Sequence, residues 1–304
     1  EALKSVDLSV SFSMNNTETA KLSKWVAATP HYLESWGDVE MKSGNYSLVQ
    51  PTIKPLFDTL QFQDVLLNWL GSSNSFYDEL KSNWNVSILK GSSWNQALHD
   101  GVYYNNYSSK KFSSPYTFPN INNYIDSLKS SESDGFELTL YSKTSMGNGL
   151  QANNPWLQEM PDPLTRVSWD NYITVSKSDA KNLGLKNIND SNGALNSNFA
   201  NVSINGKSLK VPVVIQPGQA KGSVGFSLGY GRTSGVKNEL QTGVNAYKFY
   251  NNFVNVQNVS LESVNETHEF ACVQLHNTLM GRGDIIKETT LEIFNTKKSS
   301  EWNY

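Results

Sequence analysis

Cysteine is almost absent from this chain: Cys272 is the single thiol in 304 residues. One thiol forms no disulfide within the chain, and it cannot hold an iron–sulfur cluster, which takes four protein ligands. Charge is sparse as well. Charged residues make up 17% of the sequence and the net charge is -3, so no basic face is on offer for nucleic acid. No run approaches about 18 consecutive apolar residues, which excludes a membrane-spanning helix. The phosphate-cradling spacing Gly-x-x-x-x-Gly-Lys-Ser/Thr does not occur.

What is present is aromatic and amide-rich. Eight Trp and fourteen Tyr supply the large buried surfaces that a disordered chain lacks. The length suits one large or two ordinary domains. Asn45, Asn85 and Asn201 each open an Asn-x-Ser triplet of the glycosylation type, but a chain this rich in Asn and Ser makes such triplets by chance. The sequence begins at Glu1, with no initiator Met and in the middle of a pattern, which predicts a piece of a longer polypeptide.

Periodicity divides the chain into an α/β portion, residues 1–150, and a β-rich portion, residues 151–304. Val6–Phe12 and Trp25–Thr29 read as strands around a short helix capped at Asn16 or Thr17, a strand–helix–strand unit. His31 lies in the loop after the second strand, where α/β sheets commonly place ligands. Ser47–Pro55 reads as an edge strand or loop because of Pro51 and Pro55. Gln63–Gly71, Phe76–Asn85 and Trp94–Gly101 read as helices. Tyr103–Asn123 has no clear period, and an insertion is expected within residues 75–150.

In the second portion Phe136–Ser142, Ala200–Ile204, Leu209–Ile215, Ser223–Leu228, Ala246–Phe253 and Phe270–Leu275 read as strands. Asn205-Gly206 signals a hairpin, Ser178–Gly184 a small capped helix, and Glu288–Phe294 a closing helix. The most informative stretch is Lys207–Arg232. It holds two apolar strands set apart by Pro217-Gly218, and it ends in the glycines 222, 225, 229 and 231, where a backbone must bend or approach another segment closely.

Four segments carry a resemblance: Asn154-Pro-Trp-Leu-Gln-Glu-Met-Pro-Asp-Pro-Leu-Thr-Arg-Val-Ser-Trp-Asp-Asn171, Ser178–Gly184, Val211-Pro-Val-Val-Ile-Gln-Pro-Gly218 and Gly229-Tyr-Gly-Arg232. Together they resemble the C-terminal part of molybdopterin oxidoreductases. With Gln274–Arg282 and Lys287–Leu291 they are most similar to the large iron–sulfur, molybdopterin-like subunit of alternative complex III. Thr17–Ala20 and Trp25–His31 are similar to the molybdopterin-domain segment between two α/β strands, while residues 75–150 match nothing in the family.

The resemblance implies a double-psi β-barrel for residues 151–304, following the α/β portion. It implies a fragment of a respiratory electron-transfer subunit, on the periplasmic side of the membrane and peripheral to it, carrying electrons from quinol to a downstream acceptor. Its partners would be the other subunits of that complex and the ferredoxin-like part of its own parent chain, with iron–sulfur clusters in the parent and no cofactor in this fragment. On that reading Asn154, Trp156, Gly229, Arg232, Asn245 and Lys248 line a vestigial pocket, and no catalytic or metal-ligating residue is expected. A fragment of a true molybdoenzyme would instead keep a pterin dinucleotide there.

Other groups weigh against simpler roles. Cys272 alternates with Phe270 and reads as a small core residue. His31, His99, His268 and His276 lack the short spacing of a zinc site. Asp162 and Asp170 flank Arg166 as an acid/base pair would, yet beside Pro161, Pro163 and Asn171 they read as turn caps. Tyr103–Tyr107 and Tyr116 would be the stacking residues of a carbohydrate-binding module, or else an inserted loop packed on a partner.

Overall fold

Local side-chain chemistry starts the fold. Thr17 opens helix α1 (Glu18–Leu22) because its hydroxyl accepts from the Ala20 N–H. The chain then returns beside its first strand, so that β1 (Val10–Ser11) and β2 (Trp25–Val26) pair in parallel. Each strand holds two residues, shorter than the pattern predicts, and among the described residues the two form a sheet by themselves. The computed structural model describes residues 2–105, 120–129, 135–189, 194–251, 256–273 and 287–303. They divide into two compact units, Glu1–Tyr124 and Ile125–Tyr304.

The first unit adds an antiparallel sheet in the order β3 (Gly37–Lys42), β4 (Asn45–Val49), β5 (Val102–Tyr104). Residues 45–49 thus form a central strand rather than an edge, and Pro51 and Pro55 lie beyond its end, where no ladder bond is lost. Helices α2 (Phe62–Trp69), α3 (Phe76–Asn83) and α4 (Trp94–Asp100) match their sequence pattern closely. Ser75 and Asp78 form a reciprocal capping box at α3. A π-helical turn, Trp84–Ile88, continues α3. Trp84, Ile88 and Leu89 with Leu80, Trp94 and Ala97 make this unit's core. Trp84 is fully buried, and its indole N–H donates to Asp38 Oδ2 at 2.8 Å. Helix α5 (Ile121–Lys129) runs across the division.

The second unit is built on one large mixed sheet. Its strands are β6 (Phe136–Tyr141), β7 (Val167–Ser168), β8 (Ile173–Val175), β9 (Asn187–Asn189), β10 (Leu195–Ile204), β11 (Lys207–Ile215), β12 (Ser223–Ser227) and β13 (Val256–Cys272). The order is β7-β13-β6-β12-β8-β11-β10-β9, and a β13–β10 pairing closes β13, β6, β12, β8, β11 and β10 into a ring. The pairs β12–β6 and β11–β8 are parallel and the other four in the ring are antiparallel. These pairings define a closed mixed sheet. The large mixed sheet is what these pairings show; the double-psi connectivity that the resemblance implies is a finer statement that they do not reach.

Period-two alternation fills the ring. Ala200, Val202 and Ile204, then Val211 and Val213, Val224 and Phe226, and Val259 and Leu261 point one way and pack with Leu138, Ile173 and Val175. The Asn205-Gly206 hairpin forms as the sequence predicts. Both residues have positive φ, at 48° and 77°, which matches the twist of the β10–β11 pair.

Three expectations change here. The apolar strands β11 and β12 are not neighbours, because β8 lies between them. Gln219 ties their connection to β8 by donating to the Thr174 carbonyl at 2.9 Å and to the Ser223 carbonyl at 2.7 Å. Ala246–Phe249 is a 3-10 helix instead of a strand, since the Asn245 side chain accepts from the Tyr247 N–H and offers the backbone a local partner; Asn252 and Phe253 lie outside the described residues. The strand read at Phe270–Leu275 belongs to the 17-residue β13 up to Cys272, with Gln274 and Leu275 also outside the described set. Helix α6 (Pro155–Glu159) and helix α7 (Lys177–Leu183), capped by Ser176 and Gly184, flank the sheet. A closing helix α8 (Leu291–Thr296), capped by Thr290, starts three residues later than its pattern suggests.

Candidate functional site

The glycine bend after β12 is a place where three loops touch through their backbones. Gly229 has φ +97° and Gly149 has φ +90°, and a Cβ built on Gly149 would lie 2.8 Å from the Gly229 Cα. Gly149 has no room for a side chain, and a Cβ on Gly229 would press on the backbone of Gly147 and Gly149 at 3.1 Å. Gly231 is pressed in the same way against the backbone of Val244 and Asn245, and its N–H donates to the Thr242 carbonyl at 2.8 Å.

Two buried amides lock these loops together. Asn171 is fully buried; its Nδ2 donates to the carbonyls of Ser227 at 2.9 Å and Val244 at 2.8 Å, and its Oδ1 accepts from the Val244 N–H at 2.7 Å. Gln158, on α6, donates to the carbonyls of Ala152 and Leu240 and accepts from the Thr242 hydroxyl. Each amide uses both its donor and its acceptor and so joins two segments, Ser227 with Val244 through Asn171 and Ala152 with Leu240 and Thr242 through Gln158, leaving these polar groups paired in a dry interior.

The six sequence-predicted residues distribute around this knot. Gly229 is part of it. Arg232 Nη1 donates to the Gly149 carbonyl at 3.1 Å, closing the 146–152 loop from the other side. Asn245 and Asn154 cap short helices, accepting from the N–H groups of Tyr247 and Trp156. Trp156 is 81% exposed on α6. Lys248 lines a separate cleft of about 180 Å³ with Lys207, whose Nζ donates to the Lys248 carbonyl at 3.1 Å. As a holder for a pterin dinucleotide the set does not fit: Gly149 and Gly229 are in backbone contact, and the polar side chains of Asn154, Arg232 and Asn245 bind the chain's own loops.

Beside the knot lies an unusual buried cation. Lys143 is enclosed, its Nζ donating to the Asp170 carbonyl at 2.8 Å and lying 4.2 Å from the ring centre of Tyr172 and 5.2 Å from that of Tyr230. Burial lowers its pKa to about 8, opposed by the negative field of Asp162 and Asp170. Burial also pushes the phenols of Tyr172 and Tyr230 well above their ordinary range, Tyr141 up to about 12, and the Cys272 thiol up to about 11. The Tyr172 and Thr165 hydroxyls are hydrogen-bonded to one another. Asp170 turns its carboxylate to His268, with Oδ2 2.6 Å from Nε2.

The remaining candidates resolve by position. Asp162 caps a turn, accepting from the N–H groups of Leu164 and Thr165, whereas Asp170 is paired with His268 rather than capping. Cys272 packs beside Val167, Tyr172 and Phe270. His99 is exposed beside Asp100. His276, Tyr107 and Tyr116 lie outside the described residues. Among the described residues no group of three or more His, Cys, Asp or Glu is arranged to hold a metal, and no helix is long and apolar enough to cross a membrane.

Gly225-Phe-Ser-Leu-Gly229 has the Gly-x-Ser-x-Gly spacing of a nucleophile elbow. The context is wrong for one, because Ser227 is completely buried at the end of β12 and the chain continues into the glycine bend instead of a helix. Lys143, Asn171 and Gln158 escape sequence reasoning, since no local pattern marks a polar residue that will be enclosed by distant loops. The one signal for the amides is that both fall inside the Asn154–Asn171 segment.

No protein-family model matches the sequence, and no curated protein matches it. Among solved structures, acetylene hydratase from Pelobacter acetylenicus is similar with a TM-score of 0.49 and 16% identity, over 78% of this chain and 37% of that one. The chain therefore spans little more than a third of that protein's length, and likeness of this degree defines neither a family nor an activity.

Proposed function

We propose that the chain is a portion of a molybdopterin-oxidoreductase-like subunit that serves as a scaffold in a respiratory electron-transfer assembly. The observation that carries this reading is the path of Asn171 and Gln158. Both belong to the Asn154–Asn171 segment of the resemblance, and both bind the loops that flank Gly229–Arg232, a second such segment. Segments scattered over 79 residues of sequence thus serve one local structure. The side chains of Asn154, Arg232 and Asn245 bind the chain's own backbone, which favours a retained shape over a retained cofactor. Electron transfer from quinol to a downstream acceptor would belong to the assembly, with its clusters in other parts of the parent chain and its partner subunits at the periplasmic face of the membrane.

Elemental and pterin analysis of the purified 304-residue chain tests the proposal, with iron and molybdenum each expected well below one per chain. Stoichiometric molybdenum with a releasable pterin would instead establish the working molybdoenzyme. Affinity capture from detergent-solubilised membranes should return iron–sulfur and membrane subunits together, and return of neither would remove the respiratory assignment.

A further inference from the structure

A cleft of about 410 Å³ opens in the first unit, at the carboxyl ends of the parallel strands β1 and β2. Met14 and Asn15 follow β1, and the segment from Ala28 to His31 follows β2. Both walls are therefore chain that has just left a parallel pair, the position at which α/β sheets hold ligands. The third wall, from Leu56 to Thr59, is stapled to the second by one carboxylate: Glu34 accepts from the His31 N–H at 2.8 Å and from the Leu56 N–H at 3.0 Å. With both oxygens engaged, Glu34 shapes the cleft.

The hydroxyls of Thr29 and Thr59 donate to the carbonyls of Phe12 and Phe57, which leaves His31 and Asn15 as the side chains of the lining with an N–H to offer a ligand. His31 Nδ1 accepts from the Leu33 N–H, so the neutral ring carries its proton on Nε2, and that N–H has no protein acceptor among the described residues. The Asn15 side-chain amide likewise has no partner there. The apolar surface comes from Met14, Leu56 and Phe57, the last 77% exposed at the rim. No lysine or arginine lines the cleft, so nothing neutralises a phosphate. A flat uncharged ring with a hydrogen-bonding edge suits this chemistry: an asparagine amide pairs bidentately with the amino and ring nitrogens of adenine, a histidine N–H meets a further ring nitrogen, and the ring faces take apolar contacts. The volume is within the range of small-molecule sites. We propose that this cleft binds the adenine base of an uncharged nucleoside, read by Asn15 and His31.

Titration calorimetry of the full chain with adenosine, AMP, inosine and indole tests this. Adenosine should bind saturably, AMP no tighter, and inosine, which replaces the amino group with a carbonyl, at least about tenfold more weakly. Asn15→Ala and His31→Asn should each weaken adenosine by about tenfold or more, His31→Asn keeping an oxygen that can cap the Leu33 N–H while removing the ring donor. Ala28→Trp should fill the cleft and abolish binding, with near-ultraviolet dichroism verifying that each variant is folded. Failure of adenosine to bind, equal binding of indole, tighter binding of AMP, or folded Asn15 and His31 variants with undiminished affinity would each overturn the proposal.

Discussion

Gly149 and Gly229 face each other with no space for a β-carbon: one built on Gly149 would stand 2.8 Å from both the Cα and the carbonyl oxygen of Gly229. Each also holds a positive φ that side chains rarely adopt, so a substitution meets strain and collision together. Gly149→Ala should lower stability by about 3 kcal/mol or more, measured by urea denaturation. Gly184→Ala is the internal standard. That position shares the positive φ, at 70°, but nothing lies within 4 Å of an added Cβ, so its cost should be about 1 kcal/mol. Equal losses at the two positions would deny that close backbone contact is what Gly149 secures.

Asn171 joins β12 and the Val244 loop through three hydrogen bonds of 2.7–2.9 Å in a dry interior. Asn171→Ala leaves two carbonyls and one N–H without partners, and should cost about 3 kcal/mol. The Val244 amide should then exchange with solvent faster than amides of the ring strands, a difference that hydrogen exchange with mass spectrometry resolves. Asn171→Asp retains the acceptor but turns a carboxylate toward two carbonyls. It should be no more stable than the alanine variant at neutral pH and should recover as pH falls and the acid is protonated.

Lys143 makes stability depend on pH with a defined sign. Its folded pKa is about 8 against an ordinary 10.5, so between those values the unfolded chain binds the additional proton and stability rises with pH. Below pH 8 the full burden of the buried charge is present, about 3 kcal/mol. Cys272 and Tyr141 act oppositely. Buried neutral groups raised from 9.0 to about 11 and from 10.0 to about 12 lose stability as pH climbs through those intervals. Urea midpoints should therefore increase from pH 8 to about 9 and decline above 10. Lys143→Met should erase the rise and keep the decline.

Elements with a local cause were readable in advance. Thr17 and Gly184 begin and end helices where the sequence says they should, since a cap is a bond between residues two to four apart. The Asn205-Gly206 hairpin is equally local. Ala246–Phe249 misleads because its apolar alternation competes with the capping amide of Asn245, and the amide prevails over so short a run. The position of β8 between β11 and β12 has no local trace, as strand order depends on which edges are free when the sheet assembles. In the candidate site, the bend at Gly229 was legible from the crowding of glycines and Arg232 entered only through the resemblance, while Lys143 looked like any surface lysine.

By itself the amino-acid sequence determined the helices whose caps are local, the alternation that sorts each strand into an inner and an outer face, and the need for glycine at the bend. Those properties rest on steric limits and hydrogen bonds among near neighbours. Only the tertiary structure decided that β13 meets β10 to close the ring, that Asn171 and Gln158 spend their amides on distant loops, and that Lys143 is enclosed by Tyr172 and Tyr230. Burial of a polar group is a property of everything packed around it, and the groups that enclose these side chains lie up to 87 positions away along the chain.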